Sequence, residues 1–135
     1  MEQRIRKSFG RQSMMETLGA TLRSISAGEV VIEAPILPGS RQQQGFAHAA
    51  LTFALGDSAA GYSALTLLPE DQEVMTAEIK VNLLAPGAGD LLRATGRVIK
   101  PGRRLIVVSA EVHAVTGSEE KLIAVLQGTM IPVSN

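Results

Sequence analysis

The chain has 135 residues and no cysteine, enough for one domain of ordinary size and without disulfides or thiolate metal sites. Thirteen Lys and Arg balance thirteen Asp and Glu, which removes the basic surface that bulk nucleic-acid binding needs. Hydrophobic residues make up 45% and aromatic residues only 3%, so the chain is globular and its core is built from Ala, Leu, Val, Ile and Met.

Residues 1–18 predict an N-terminal amphipathic helix with Ile5, Phe9, Met15 and Leu18 near one stripe. The segment has no continuous apolar run of the kind a secretory signal carries, and a cytoplasmic protein is expected. Strands are predicted around Ala20–Ser26 and over Glu29–Ile36, joined at Ala27–Gly28. In the second, Val30, Ile32, Ala34 and Ile36 alternate onto one face, and Pro35 marks a strand end or an edge. The following LPGSRQQQG is a polar loop.

Gly45–Leu68 is strongly apolar and long enough to span a bilayer. Asp57 lies near its middle, with His48, Thr52, Ser58 and Ser63 adding polarity, so a core helix wrapped on nearly all sides is expected and no membrane partner. Gly56 and Gly61 disfavour helix by about 1 kcal/mol each, which close packing against a neighbour would explain. Pro69 stops the helix. Beyond it, Val74–Leu84, Leu91–Lys100, Arg104–Val115 and Lys121–Ile131 predict strands, with turns at Pro86-Gly87, Pro101-Gly102 and Thr116-Gly117-Ser118. Strict alternation over Val74–Leu84 puts Ala77, Ile79, Val81 and Leu83 on one face and Thr76, Glu78, Lys80 and Asn82 on the other. The expected fold is α+β: five or six antiparallel strands wrapped around one long central helix, in a single domain over residues 1–135.

Asp57 does not fit its surroundings. Its helical neighbours Phe53, Ala54, Ala60 and Gly61 offer no partner, and burying an unpaired carboxylate costs several kcal/mol. Either Asp57 lies on a narrow wet stripe with Ser58, or it faces a cleft as a base or nucleophile. His48 precedes it by nine residues, two and a half turns and about 13 Å along the axis, so the two cannot form a dyad on one helix. They can meet only if two copies of the helix lie antiparallel. The bland reading of His48 is a helix-start residue that caps or packs. No motif links His48 with His113, and no metal is expected. Arg97, Lys100, Arg103 and Arg104 surround the Pro101-Gly102 turn with no acid among them: a solvated hairpin end, or a phosphate-binding patch.

The runs GFAHAALTFALGDSAAGYSALTLLP, VMTAEIKVNLLAPG and GRVIKPGRRL, in that order, resemble the hotdog-fold thioesterases of the phenylacetate-pathway (PaaI-type) branch across residues 9–131. The resemblance implies a homodimer or homotetramer that hydrolyses acyl-CoA thioesters, with sites between antiparallel helices where His48 of one chain approaches Asp57 of the other. It implies Asp57 as general base or nucleophile and the Ala49 N–H as polariser of the thioester carbonyl. Gln42 would orient water or the thioester, Thr76 would hold the attacking water, and the basic turn would meet the phosphates of coenzyme A, which is part of the substrate and not a cofactor. Two departures stand out. The family's His-Gly-Gly is His48-Ala49-Ala50 here, which keeps the N–H but adds methyls. Thr76 also shares a register with Glu78, so its role requires the strand to bend. The alternatives are a non-hydrolytic acyl-CoA or acyl-ligand binding protein on the same fold, motivated by those alanines, and, less favoured, a hydratase.

Overall fold

The computed structural model describes residues 1–135. The N-terminal segment is two helices and not the one expected: α1 (Glu2–Gly10) and α2 (Ser13–Leu18), separated where Gln12 turns to extended backbone. The apolar stripe survives the break. Ile5 and Met15 are buried, and Phe9 and Leu18 pack against the core. Gly19, in the left-handed region at φ 72°, ends α2 and turns the chain into β1.

β1 (Thr21–Ser26) and β2 (Glu29–Pro35) form a hairpin, with Gly28 at φ 79° in its turn. After a short 3-10 turn over Pro38–Ser40 comes the central helix α3 (Ala49–Leu65). Four long strands follow: β3 (Gln72–Leu83), β4 (Leu91–Pro101), β5 (Ile106–Thr116) and β6 (Glu119–Ser134). All six strands make one antiparallel sheet in the order β1-β2-β4-β5-β6-β3, so β3 crosses over to an edge. Pro35 marks a strand end, not an edge, since β2 pairs on both sides.

The sheet curls around α3. Val30, Ile32 and Ala34 of β2 and Ile106, Val108, Ala110, Val112 and Ala114 of β5 are all buried beneath it, as alternation predicts. Glycines let the layers touch. A Cβ on Gly96 of β4 would lie 2.2 Å from the Ala59 carbonyl carbon, so only glycine allows the helix backbone this close. A Cβ on Gly56 would come within 2.7 Å of the Leu126 side chain, which explains that glycine as well. Gly61 differs from the expectation: its nearest neighbour would be the tip of Met130 at 3.9 Å, ordinary contact.

No helix is long and apolar enough to cross a membrane. The C-terminal half of α3 is fully enclosed, Ala59 to Leu65 all being buried. The N-terminal half is not. Ala49, Ala50 and Phe53 are exposed and Ala54, Asp57 and Ser58 half-buried, a continuous open stripe on an otherwise wrapped helix.

Candidate active site

Asp57 receives the partner that its own helix lacks from β3. The Thr76 hydroxyl donates to Asp57 Oδ1 at 2.7 Å and lies 3.3 Å from the buried Met130 Sδ. Strict alternation predicts the opposite face for Thr76. The reason for the difference is a β-bulge: Thr76 pairs with Met130 and Glu78 with Thr129, leaving Ala77 as an extra residue. Before the bulge, Val74 and Thr76 face the helix; after it, Ile79 and Val81 do, while Glu78, Lys80 and Asn82 line the outer face of the sheet. The strand bends at the position where the role of Thr76 requires it.

Asp57, Ser58 and Thr76 line a cavity of about 270 Å³. Both readings of Asp57 therefore describe one place, since the wet stripe with Ser58 is a wall of the cleft. The far wall comes from α1 and its junction: Ser8 and Gln12, with Tyr62 of α3. Gln12 Nε2 donates to the Tyr62 hydroxyl at 2.7 Å, and Ser8 Oγ lies 3.1 Å from the same oxygen. Ser8 and Gln12 are absent from the sequence-predicted site. Nothing local marks them, because they reach α3 from about fifty residues away. Tyr62 is the one aromatic residue that lines the cavity, since Phe46 lies elsewhere and Phe53 sits on the open stripe.

Arg4 fixes this far wall. Its guanidinium donates to the carbonyls of Leu68 at 3.1 Å and Pro69 at 3.0 Å, to that of Gln72, and to Glu73 Oε2 at 3.3 Å. One side chain thus ties α1 to the end of α3 and the start of β3.

The other predicted residues gather at the opposite end of α3. His48 caps the helix, its Nδ1 accepting the Ala50 N–H at 2.9 Å, and the ring proton is therefore on Nε2. Leu51 and Thr52 donate to the His48 carbonyl, whereas the Ala49 N–H has no acceptor in the chain. It points out of a helix N-terminus, where the macrodipole favours an anion. Gln42 shapes the loop beside it, its Oε1 accepting from Gln44 N at 2.5 Å and Phe46 N at 3.2 Å. Gln42, His48 and Ala49 line a second cavity of about 380 Å³. Within one chain, then, Gln42, His48 and Ala49 come together, as do Asp57 and Thr76, and the two sets stay apart.

The basic cluster divides. Arg97 lies on the outer face of the sheet, bonded to Glu29 at 2.7 Å and near Glu111 at 3.5 Å, so its charge is already paired. Two carboxylates thus set Arg97 apart from the other three cations. Lys100, Arg103 and Arg104 are exposed at the hairpin end with no acidic partner. The outer face itself carries a larger open groove, about 810 Å³, lined by Glu78, Lys80, Arg97 and Glu111 among others and remote from Asp57.

Residues 44–121 match the family described as the thioesterase superfamily. A thioesterase family protein from Silicibacter pomeroyi superposes with a TM-score of 0.96 at 38% identity, covering 99% of this chain and 98% of its own. A 1,4-dihydroxy-2-naphthoyl-CoA hydrolase of Listeria monocytogenes is 26% identical over 117 residues, 87% of this chain and 93% of that protein. The E. coli PaaI protein, from the phenylacetic acid degradation operon, shares the fold with a TM-score of 0.88 at 21% identity, over 98% of this chain and 93% of its own.

Proposed function

The chain belongs to the thioesterase superfamily and is a thioester hydrolase, and on that footing we propose that it cleaves acyl-CoA thioesters at sites built between two copies of itself. The observation that carries the reading is the division of α3 into two half-sites. The unused Ala49 N–H and the Asp57 carboxylate stand eight residues apart, about 12 Å along the axis. One thioester carbonyl cannot reach both. An antiparallel second helix, laid along the open stripe of Phe53 and Ala54, would set its own Ala49 end opposite Asp57 and repeat the arrangement by two-fold symmetry.

In this reading the carbonyl oxygen sits at the Ala49 N–H of one copy and the carbonyl carbon near Asp57 of the other. Asp57 acts as general base on water or as nucleophile; both routes give the free acid and coenzyme A thiol. The negative charge that develops on the carbonyl oxygen is met by the N–H and the helix dipole. Thr76 aims the carboxylate and holds the attacking water, and Gln42 orients water or thioester at the other rim. Lys100, Arg103 and Arg104 would meet the nucleotide phosphates, where salt-sensitive attraction suits a polyanionic leaving group. The chemistry draws on a carboxylate, water and backbone dipoles, with coenzyme A entering as part of the substrate.

The test is thiol release from a panel of aryl- and alkyl-acyl-CoAs by the wild type beside Asp57→Asn. Turnover that disappears in the variant supports the reading. Tight acyl-CoA binding without turnover would replace it with the binding-protein reading, and activity retained by Asp57→Asn would remove Asp57 from the chemistry.

A further inference from the structure

We infer that Met130 is a positioning residue for the hydrolysis: its thioether gives the Thr76 hydroxyl a second acceptor at the moment Asp57 loses its charge. The inference rests on the proposal that Asp57 acts on the thioester. Thr76 has one hydroxyl proton and two acceptors within reach, Asp57 Oδ1 at 2.7 Å and Met130 Sδ at 3.3 Å. While Asp57 is ionised the carboxylate wins, because a thioether is a weak acceptor and a bond to a charged oxygen is the stronger kind. The reaction reverses that contest. As a general base Asp57 takes a proton from water; as a nucleophile it bonds to the thioester carbon. Either way its charge is gone and Oδ1 becomes a poorer acceptor. If Oδ1 itself carries the new proton, it donates to Thr76 Oγ1, and Thr76 turns its own O–H to the sulfur. No proton leaves Thr76; only the direction of its bond changes.

Strand pairing puts the sulfur there. Thr76 and Met130 stand opposite each other on β3 and β6, immediately before the bulge. Met130 is fully buried, and its tip lies under α3, where a Cβ on Gly61 would meet Cε at 3.9 Å and Sδ at 4.0 Å. Gly61 and Thr76 line the Asp57 cavity and Met130 does not, so the sulfur acts through Thr76 and never touches substrate. A leucine would fill the same place, and what methionine adds to it is an acceptor. In the single chain Thr76 is open to solvent, and water could take its proton. In the proposed two-copy site the second helix and the acyl group would cover it. The sulfur is the acceptor that stays when water is excluded.

The experiment measures thiol release from an acyl-CoA across pH by wild type, Met130→Leu, Thr76→Val and the double variant. Met130→Leu conserves volume and should unfold at nearly the wild-type temperature. Its kcat is expected to fall about three- to tenfold with KM unchanged, the scale of one weak hydrogen bond made only as Asp57 loses its charge. The sulfur favours the uncharged state of Asp57, so its loss should also move the acid limb of kcat to lower pH by roughly half a unit. Glu73, which Arg4 holds, and Tyr62 are the other titratable groups on the cavity, and His48 of the second copy would face it; the substitution leaves all of them in place. In the Thr76→Val background Met130→Leu should cost nothing further, which a packing defect would not obey. If Met130→Leu fails to fold, norleucine in place of all five methionines removes the sulfur and keeps the shape, and the Thr76→Val background isolates Met130 from the other four. An unchanged kcat, an unmoved acid limb, or an equal loss with and without the Thr76 hydroxyl overturns the inference. Asp57→Asn decides the parent reading separately. Turnover that it abolishes while Met130→Leu runs at full rate defeats only the role of the sulfur. Turnover that survives Asp57→Asn, or none by the wild type, defeats the parent reading and the inference with it.

Discussion

The Thr76 hydroxyl meets Asp57 Oδ1 at 2.7 Å because β3 carries one residue too many. Ala77 opposes nothing on β6, and that surplus turns Thr76 towards the helix. The bond fixes which way the carboxylate faces, and the positioning role proposed for it has a kinetic signature. Thr76→Val keeps the shape of the side chain and removes the hydroxyl. It is expected to lower kcat about 10–100-fold with little change in KM, whereas Thr76→Ser should restore most of the rate. Steady-state thiol release measures both. A Thr76→Val enzyme with unaltered kcat would show that Asp57 needs no such support.

Glycine sets how closely α3 can sit on the sheet, and the three positions should separate in a stability series. Gly96→Ala drives a methyl into the backbone of Ala59, which cannot yield, and should cost about 3 kcal/mol or leave the protein insoluble. Gly56→Ala meets only the Leu126 side chain, so rotation relieves part of the strain and the cost should be smaller. Gly61→Ala has space and gains helix propensity, with stability rising by up to about 1 kcal/mol. The added methyl also narrows the cavity, so hydrolysis of bulky acyl groups should fall as stability rises. Urea unfolding gives the order, and Gly61→Ala proving the most damaging of the three would contradict it.

Glu33 ties β1, β2 and β4 together, bonded to Arg93 Nε at 2.6 Å and to Arg23 at 2.7 Å. Burial alone would raise its pKa; the hydrogen bonds and charges of Arg93 and then Arg23 outweigh it, and the carboxyl titrates below its ordinary 4.5. A depressed folded-state pKa stabilises the fold above the unfolded value, and that contribution is lost as pH falls through the folded one. Glu33→Gln should therefore be less stable than wild type at pH 7 by roughly 1–3 kcal/mol. The gap should close as acid protonates the wild-type carboxyl. Denaturant midpoints of both proteins at neutral pH and well below 4.5 test this, and a gap that persists in acid would point to packing instead.

Elements whose burial follows one period were legible in the sequence. The alternation of β2 and β5 and the apolar length of α3 placed the core, and His48 marked the helix start. What was hidden depends on breaks in period and on contacts distant along the chain. The bulge left one trace: Val74 and Ile79 both face the core although five residues, an odd number, separate them. The break between α1 and α2 left a weak trace, Gly10, the last residue of α1 and a type that disfavours helix. Ser8 and Gln12 were unreadable because their roles are set by Tyr62, about fifty residues on. Arg97 looked like its neighbours until strand pairing put Glu29 and Glu111 beside it.

That pairing separates the cations experimentally. Arg103→Glu combined with Arg104→Glu should raise KM for a CoA ester several-fold while barely changing KM for the truncated pantetheine thioester, and added salt should shrink the difference. Arg97→Ala should leave the ratio of the two KM values as it is and cost at most about 1 kcal/mol of stability, the usual value of an exposed pair. Equal effects of the double charge reversal on both substrates would dissociate the hairpin from phosphate binding.

The N-terminus of α3 offers the cleanest probe of the paired half-sites. Ala49 is the first helical residue, a position where proline is well tolerated because its missing N–H has no helical partner. His48 before it is already extended, at φ −65° and ψ 143°, as a residue preceding proline must be. Ala49→Pro therefore removes the N–H proposed to meet the carbonyl oxygen and little else. Its thermal unfolding should match wild type, while kcat falls about 10²–10³-fold, the usual loss for one oxyanion donor. Asp57→Asn disables the complementary half. In a two-fold dimer that takes Ala49 from one chain and Asp57 from the other, mixing the two dead variants rebuilds one intact site in each mixed dimer. Refolding them together at equal amounts should return about a quarter of wild-type activity, since half the dimers are mixed and each holds one good site of two. No recovery, with mixed dimers demonstrated by differential tagging, would mean that both residues act within a single chain.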